Sequence, residues 1–119
     1  MGFIHNRKTK NNSGLILTLA LSYGGRQEII DAFNSLIKSD VKIINEEILQ
    51  NHLYCPELPD PDLIIRTGGE YRLSNFLLWQ SAYAEIYTSS KNWPEFGEKD
   101  LENALKEYEK RKRTFGKVQ

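Results

Sequence analysis

Two short apolar runs, each followed by a pair of glycines, constrain the fold of this chain more than any other feature of its sequence. The first, LILTLAL, occupies residues 15–21 and leads into Tyr-Gly-Gly; the second, DLII, occupies residues 62–65 and leads into Arg-Thr-Gly-Gly. Apolar runs of this length that stop at turn residues are typical of buried strands. We therefore predict two strands, each ending in a tight turn.

Three other segments carry the residue spacing of helices. Residues 26–38 place a stripe of apolar side chains on one side of a helix. Asn45 is a suitable N-cap for a short helix that opens with two glutamates. Residues 98–113 form an amphipathic pattern with two acid–base pairs at i,i+4 spacing. The stripe consists of Ile29, Ile30, Phe33, Leu36 and Ile37, and the pairs are Glu102 with Lys106 and Glu107 with Arg111.

The segment after the second run is apolar nearly all round. Residues 75–84, NFLLWQSAYA, fit a buried helix, and residues 85–88, EIYT, fit a third strand. Strands that alternate with helices indicate an α/β layer arrangement. Three strands are few for a parallel sheet, which needs both faces covered. We therefore predict that residues 1–119 form one partial α/β domain with a mainly parallel sheet and flanking helices.

Charge and composition argue against several classes of protein. The chain has 16 basic and 16 acidic residues, whereas nucleic-acid-binding domains usually carry a basic surplus. Its longest uncharged run, residues 11–25, is too short and too polar to span a bilayer. Its single cysteine, Cys55, cannot form an internal disulfide. We expect a cytoplasmic protein that binds no nucleic acid and has at most peripheral contact with a membrane.

The residues after the second strand are the strongest candidates for a binding site, because ligands of open α/β sheets lie beyond the carboxyl ends of the strands. Arg66, Arg72 and Ser74 flank the Gly-Gly turn there. Arginine forks and a hydroxyl group suit the oxygens of a diphosphate. Two surface arginines paired with Glu70 and Asp62 would produce the same pattern. Spacing alone leaves both interpretations open.

A lone carboxylate, Glu85, follows the most apolar segment of the chain. An unpaired buried charge is costly, so this side chain needs a partner. The partner could be an arginine, or a hard divalent cation such as Mg2+, which often bridges a protein carboxylate to phosphate oxygens. One carboxylate by itself makes an incomplete magnesium site.

Taken in order, these motifs resemble the C-terminal half of the cis-prenyltransferase family, which includes the bacterial undecaprenyl pyrophosphate synthases, or isoprenyl transferases. The motifs are YGGRQEIIDAF, PDLIIRTGGEYRLSNFLLWQSAYAEIY, and NWPEF followed by an amphipathic helix and RTFG. The likeness covers nearly the whole chain, beginning at TKNN in residues 9–12. The block IRTGGEYRLSNFLLWQ is long and specific to the family.

The resemblance implies a transferase that condenses isopentenyl diphosphate onto an allylic diphosphate such as farnesyl diphosphate. It implies Mg2+ as cofactor, a polyprenyl diphosphate as product and a homodimeric assembly. By motif, Arg66, Arg72, Leu73 and Ser74 correspond to the family residues that bind the diphosphate of isopentenyl diphosphate. Glu85 corresponds to a magnesium ligand of the family.

Two departures from the family pattern affect what is expected of this chain. The family's N-terminal half carries a Met-Asp-Gly-Asn-Gly-Arg-Trp segment, whose Asp holds magnesium. The same half forms the tunnel for the growing product. Residues 1–119 contain no Met-Asp-Gly-Asn-Gly-Arg-Trp segment. Near the C-terminus, Thr114 stands at the arginine of the family's Arg-x-Gly tail, and Arg113 lies one position too early. We therefore expect no catalytic residue here and no activity without a partner N-terminal half. An inactive gene remnant, and a non-catalytic binding subunit of a split or full-length synthase, are the alternatives.

Overall fold

The structure, a computed structural model, describes residues 11–111. Three features of the sequence lie outside the described residues. They are residues 112 and 113 of the predicted third helix, the departure at Arg113 and Thr114, and the first half of the TKNN motif. The elements are α1 (Gly25–Ile37), α2 (Glu46–Gln50), β1 (Leu63–Arg66), β2 (Glu85–Thr88) and α3 (Glu98–Lys110), with one 3-10 turn at Trp93–Glu95. This arrangement of a small parallel sheet and flanking helices confirms the predicted fold class.

The two strands form a parallel pair. Leu63 lies opposite Glu85, and Arg66 lies opposite Thr88. One further backbone bond continues the ladder, since the N–H of Ser89 donates to the carbonyl of Arg66 at 2.8 Å. Both strands therefore end at the same edge of the sheet, with Arg66 at that edge.

A small core lies between the two N-terminal helices. Asn45 caps α2 as predicted, because its side-chain oxygen accepts from the N–H of Ile48 at 2.8 Å. The buried cluster consists of Ala32, Leu36, Leu49 and Leu53, with Ile48 and Trp79 packed against it. None of the helices within residues 11–111 has the length and apolar character needed to cross a bilayer.

The helix α1 occurs as predicted, but its apolar stripe is largely exposed. Of that stripe only Leu36 is fully buried, while Phe33 is 41% exposed and Ile37 is 77% exposed. The buried side instead carries Glu28 and Ala32. Most of the apolar stripe therefore does not contribute to the core within residues 11–111.

The predicted first strand, residues 15–21, is not formed. Leu15 is 93% exposed, and Ile16 and Leu17 are each more than 70% exposed. A strand exists only where its backbone groups pair with a neighbouring chain, and within residues 11–111 β1 pairs with β2 alone. The prediction of a buried strand here is therefore wrong, because the described chain offers no partner for it.

The predicted helix at residues 75–84 is also wrong, since these residues form consecutive turns. Asn75 and Leu77 have φ angles of 66° and 45°, which a right-handed helix excludes. The segment is held in this form by α1. The N–H of Gly25 donates to the carbonyl of Asn75 at 2.7 Å, and the N–H of Arg26 donates to the Asn75 side chain at 2.9 Å. Residues 85–88 do form a strand, β2, as predicted.

The close contact between α1 and this turn segment requires glycine at position 25. A Cβ atom there would lie 2.9 Å from the Cγ of Leu78 and 3.0 Å from its backbone nitrogen. Atoms do not approach that closely without displacing one another. The second glycine of the Tyr-Gly-Gly motif is therefore explained by packing.

A buried carboxylate, Glu28, joins four segments of the chain. Its side chain is 2% exposed and accepts from the hydroxyl of Tyr23, from the N–H of Tyr54 at 3.1 Å and from Gln80 Nε2 at 3.1 Å. Three donors compensate for the loss of water around the charge. Glu28 thus ties α1 to the residues before it, to the loop after α2 and to the segment between the strands.

Candidate functional site

A cleft of about 370 Å³ opens at the carboxyl end of β1. Three of the four predicted diphosphate-binding residues, Arg66, Arg72 and Leu73, line it, and Phe76 and Ile86 add apolar wall. Ser74 follows Leu73 in the chain but does not line the cleft. The structure therefore brings together two arginines and an apolar surface at the place predicted from the end of the strand.

The Gly-Gly turn after Arg66 shapes this cleft. Gly68 and Gly69 have φ angles of 86° and 72°, which glycine adopts without the steric cost that other residues meet. Their N–H groups donate to the carbonyls of Lys91 and Ser89 at 2.7 and 2.8 Å. The turn is thus fastened to the segment after β2, and it directs the chain from Arg66 back towards Arg72.

Arg66 has an unsatisfied donor. Within the described part of the chain its Nε is buried and has no hydrogen-bond partner. A buried polar group without a partner costs about 1–3 kcal/mol, and more when it is charged. Arg66 also lines the cleft, so this donor belongs to a side chain that an anion in the cleft would contact.

Arg72 already has an anionic partner. Its Nη1 donates to the carboxylate of Glu70, and the two side chains are 62% and 44% exposed. The ion pair that the sequence left open as an alternative is therefore present at Arg72. Exposed pairs of this kind contribute little, so Arg72 can exchange Glu70 for a ligand at small cost.

Glu85 lies away from this edge of the sheet. It opens β2 opposite Leu63, whereas Arg66 closes β1 opposite Thr88. Three residues of strand separate the two positions by about 10 Å along the sheet. The structure therefore does not place Glu85 beside Arg66 in the sheet.

The carboxylate of Glu85 is paired with Arg111. Arg111 Nη1 donates to Glu85 Oε2 at 2.9 Å and to the carbonyl of Ile86 at 2.9 Å, and Nη2 donates to Glu107 Oε1 at 2.6 Å. The hydrogen bond to Glu107 and then that to Glu85 raise the pKa of Arg111 above its ordinary value. Of the two partners left open for Glu85, an arginine or a cation, the structure contains the arginine.

The described residues do not fit a complete magnesium site. Between residues 11 and 111 there is no group of three or more His, Cys, Asp or Glu side chains that could hold a metal ion. Glu85 could contribute one oxygen ligand. Magnesium is commonly held by one or two carboxylates together with substrate phosphates and water, so the remaining ligands would have to come from other groups.

The sequence did not reveal the contact between Arg111 and Glu85. Helical spacing identified the pair of Glu107 with Arg111, which the structure confirms together with the Glu102–Lys106 pair at 3.5 Å. The contact with Glu85 joins residues that are 26 positions apart, and no local pattern signals it. It depends on α3 packing beside β2, and Ala104 of α3 is completely buried.

Comparisons with known proteins give consistent matches. The prenyltransferase family model for undecaprenyl diphosphate synthase matches residues 4–116. The isoprenyl transferase of Rickettsia bellii (strain RML369-C) is 58% identical over 109 residues, covering 92% of this chain and 48% of that protein. The isoprenyl transferase of Clostridium tetani (strain Massachusetts / E88) is 52% identical over 117 residues, covering 93% and 46%. The chain spans about half the length of the curated relatives it matches.

Solved structures resemble this one over most of its length. A probable undecaprenyl diphosphate synthase from Campylobacter jejuni superposes with a TM-score of 0.72 at 45% identity, covering 82% of this chain and 45% of that one. Lavandulyl diphosphate synthase from Lavandula x intermedia, solved in complex with dimethylallyl diphosphate, gives a TM-score of 0.74 at 39% identity, covering 82% and 44%.

Proposed function

Because the chain belongs to the undecaprenyl diphosphate synthase family of prenyltransferases, we propose that it supplies the isopentenyl diphosphate site of an isoprenyl transferase. The second substrate is an allylic diphosphate such as farnesyl diphosphate. In the proposed reaction a carbon–carbon bond joins the two isoprenoid units. Inorganic diphosphate leaves with the electron pair of the allylic carbon–oxygen bond, and a proton is lost from the isopentenyl unit. The product is a longer polyprenyl diphosphate with a new cis double bond.

The observation that carries the proposal is the unsatisfied Nε of Arg66 in a cleft that also contains Arg72. Two guanidinium groups suit a diphosphate, because each offers a planar fork of donors to its oxygens. The apolar side of the cleft, formed by Leu73, Phe76 and Ile86, suits the isoprenoid part. A volume of about 370 Å³ lies within the range of sites for small molecules.

Each residue of the site has a proposed role. Arg66 binds a diphosphate oxygen through the donor that now lacks a partner, and Arg72 joins it on releasing Glu70. Leu73 contacts the isoprenoid carbon atoms. Ser74 adds its hydroxyl as a donor, which requires a small change in the turn that now holds it with a φ angle of 49°.

We also propose Mg2+ as the cofactor, with Glu85 as the one ligand that this chain contributes. When bound, the ion would neutralise negative charge on the diphosphate groups. The other ligands would be substrate oxygens and residues of a polypeptide equivalent to the other half of the family fold. The described residues hold no metal cluster, so we propose that this chain alone binds isopentenyl diphosphate without turning it over. The second candidate function is that of a non-catalytic binding subunit. The same two observations favour it, namely a cleft suited to an anion and the lack of a metal cluster among the described residues.

Calorimetric titration of the full chain with isopentenyl diphosphate tests the binding site. Arg66→Ala removes the unsatisfied donor, and we expect it to weaken binding about 10- to 100-fold, since hydrogen bonds to charged groups contribute about 1.5–3 kcal/mol. Lys38→Ala, which removes an equal charge from the exposed end of α1, is the control and should leave the affinity unchanged. Equal weakening by both variants would contradict a specific site.

Incorporation of labelled isopentenyl diphosphate onto farnesyl diphosphate with Mg2+ tests the reaction. The chain is assayed alone and mixed with a polypeptide that carries the other half of a relative. Product from the mixture alone, lost with Arg66→Ala or Glu85→Ala, is the expected result. Product from the chain alone would contradict its proposed inactivity. Binding without product in either assay would favour a binding subunit, and absence of both would favour a gene remnant.

A further inference from the structure

The start of helix α1 is capped by a residue from a distant part of the chain. The residue before the helix, Gly24, has no side chain with which to cap it, and the first N–H groups of a helix lack acceptors within the helix. Asn75 provides two acceptors instead. Its carbonyl accepts from the N–H of Gly25 at 2.7 Å, and its side-chain Oδ1 accepts from the N–H of Arg26 at 2.9 Å.

We propose that Asn75 is a positioning residue of the cleft, because its bonds to α1 fix the loop of residues 72–76. Arg72, Leu73 and Phe76 of this loop line the cleft, whereas Asn75 itself does not. Asn75 therefore acts on a ligand only through its neighbours. The inference rests on the proposed function, since it concerns how the isopentenyl diphosphate site keeps its shape.

The backbone of this loop needs an anchor. Ser74, Asn75 and Leu77 have φ angles of 49°, 66° and 45°, in the left-handed region, which asparagine tolerates better than most residues do. The N–H of Phe76 donates to the carbonyl of Leu73 at 3.1 Å and closes a turn. Backbone of this kind persists only where surrounding contacts hold it. The two bonds from α1 to Asn75 are such contacts.

Two further contacts bring the loop close to the start of α1. A Cβ atom at Gly24 would lie 2.9 Å from Asn75 Nδ2, so the glycine gives Asn75 the room it needs. The ring of Tyr23 packs edge-to-face on that of Phe76, with centroids 5.7 Å apart and planes at 78°. The apolar wall that Phe76 forms in the cleft is thus held by the same segment that Asn75 caps.

Calorimetric titration of the full chain with isopentenyl diphosphate tests this role. Asn75→Gly removes the side-chain acceptor but keeps a residue that adopts the left-handed conformation without steric cost. We expect it to weaken binding about threefold to tenfold, which matches the usual net contribution of one hydrogen bond. Far-UV circular dichroism checks that the variant is folded at the temperature of the titration.

The matched control is Asn34→Gly, which makes the same change at an exposed position of α1. It should leave the affinity for isopentenyl diphosphate unchanged. Equal weakening by Asn34→Gly and Asn75→Gly would overturn the inference, because it would show a general effect of a less stable helix.

A double-mutant cycle separates positioning from a purely structural role. Arg72→Lys keeps the positive charge of the loop, but a flexible ammonium depends less on exact placement than a planar guanidinium does. In that background Asn75→Gly should weaken binding by less than about twofold, because the two changes remove the same interaction. An effect of Asn75→Gly as large as in the unaltered chain would refute the positioning of Arg72.

The outcomes separate this inference from the proposed function. If Arg66→Ala weakens binding but Asn75→Gly does not, the cleft is the binding site and the role of Asn75 is refuted. If the chain binds inorganic diphosphate but not isopentenyl diphosphate, the proposed substrate fails, and the effect of Asn75→Gly on diphosphate binding decides the inference. Absence of binding of both ligands would overturn the proposed function and the inference together.

Discussion

Two tyrosines beside α1 hold their protons more tightly in the folded chain than free tyrosine does. Burial, followed by a hydrogen bond to Asp31, raises the pKa of Tyr54 to about 12. Burial, followed by a hydrogen bond to Glu28, also raises the pKa of Tyr23. The hydroxyl of Tyr54 in turn lowers the pKa of Asp31. The folded state therefore favours a neutral tyrosine that donates to an ionised carboxylate.

The chain should lose stability in alkali. Between about pH 10, where free tyrosine ionises, and pH 12, near the raised pKa of Tyr54, the folded chain binds more protons than the unfolded one. Linkage then requires the free energy of unfolding to fall as the pH rises. Melting temperatures across this interval measure the effect. Tyr54→Phe should make the fall of the melting temperature with pH shallower. Tyr71→Phe, at a side chain that is 88% exposed, should leave it unchanged. Equal pH slopes in the two variants would refute the assignment of the effect to Tyr54.

At the scale of elements, α1 has two apolar sides, and within residues 11–111 only one of them is covered by other parts of the protein. Leu36 is 2% exposed and packs in the core cluster with Leu49 and Leu53. The next residue, Ile37, is 77% exposed. Two neighbouring aliphatic residues on one helix therefore have opposite surroundings.

This contrast gives a matched pair of variants. Leu36→Ala should lower the free energy of unfolding by about 2–5 kcal/mol, the usual cost of truncating a buried leucine. Ile37→Ala should change it by less than about 0.5 kcal/mol, as is typical of surface positions. Urea denaturation followed by circular dichroism measures both. Similar losses for the two variants would mean that the outer side of α1 is covered in solution.

Local pattern predicted most of the elements, and contacts distant in sequence account for the failures. Both strands of the sheet, the cap of α2 and the ion pairs of α3 follow from spacing alone. Residues 75–84 were predicted as a helix because they are apolar nearly all round, but bonds from Gly25 and Arg26 to Asn75 hold them in turns. The apolar character of residues 15–21 indicates a need for burial, yet it cannot reveal whether a partner strand is present.

The candidate site was predictable to a similar degree. The turn after β1 brings Arg66, Arg72 and Leu73 to one cleft, as the position of the Gly-Gly pair suggested. The separation of Glu85 from Arg66 follows from the register of β1 against β2, which pairs two short segments that are distant in sequence. The partner of Glu85 depends on where α3 packs, and this too lies beyond local pattern.

On the scale of the whole molecule, the chain exposes a large apolar surface. The segment 15–21 and the outer side of α1 both contribute to it. Soluble monomers seldom expose extended apolar patches, and unpaired strand-forming segments promote association. The family resemblance led us to expect a homodimer, and this surface gives a physical reason for association of some kind.

Sedimentation velocity over a range of protein concentrations should show self-association of the chain. The double variant Leu15→Lys with Leu17→Lys places two charges in the exposed segment and should shift the chain towards monomer. Tyr71→Lys adds a charge at another exposed position and should leave the association unchanged. A monomer at all concentrations, or an equal response to both variants, would refute a role for residues 15–21.

The turn segment between the strands also bears on the order in which the chain folds. Parallel strands need a long crossover, which here is residues 67–84. Closing this loop costs conformational entropy, and the crossover contains no helix that could form by itself and offset that cost. The crossover is instead anchored to α1 through the bond from Gly25 to Asn75 and through Glu28 to Gln80. We therefore expect strand pairing and helix docking to occur in a single cooperative folding step.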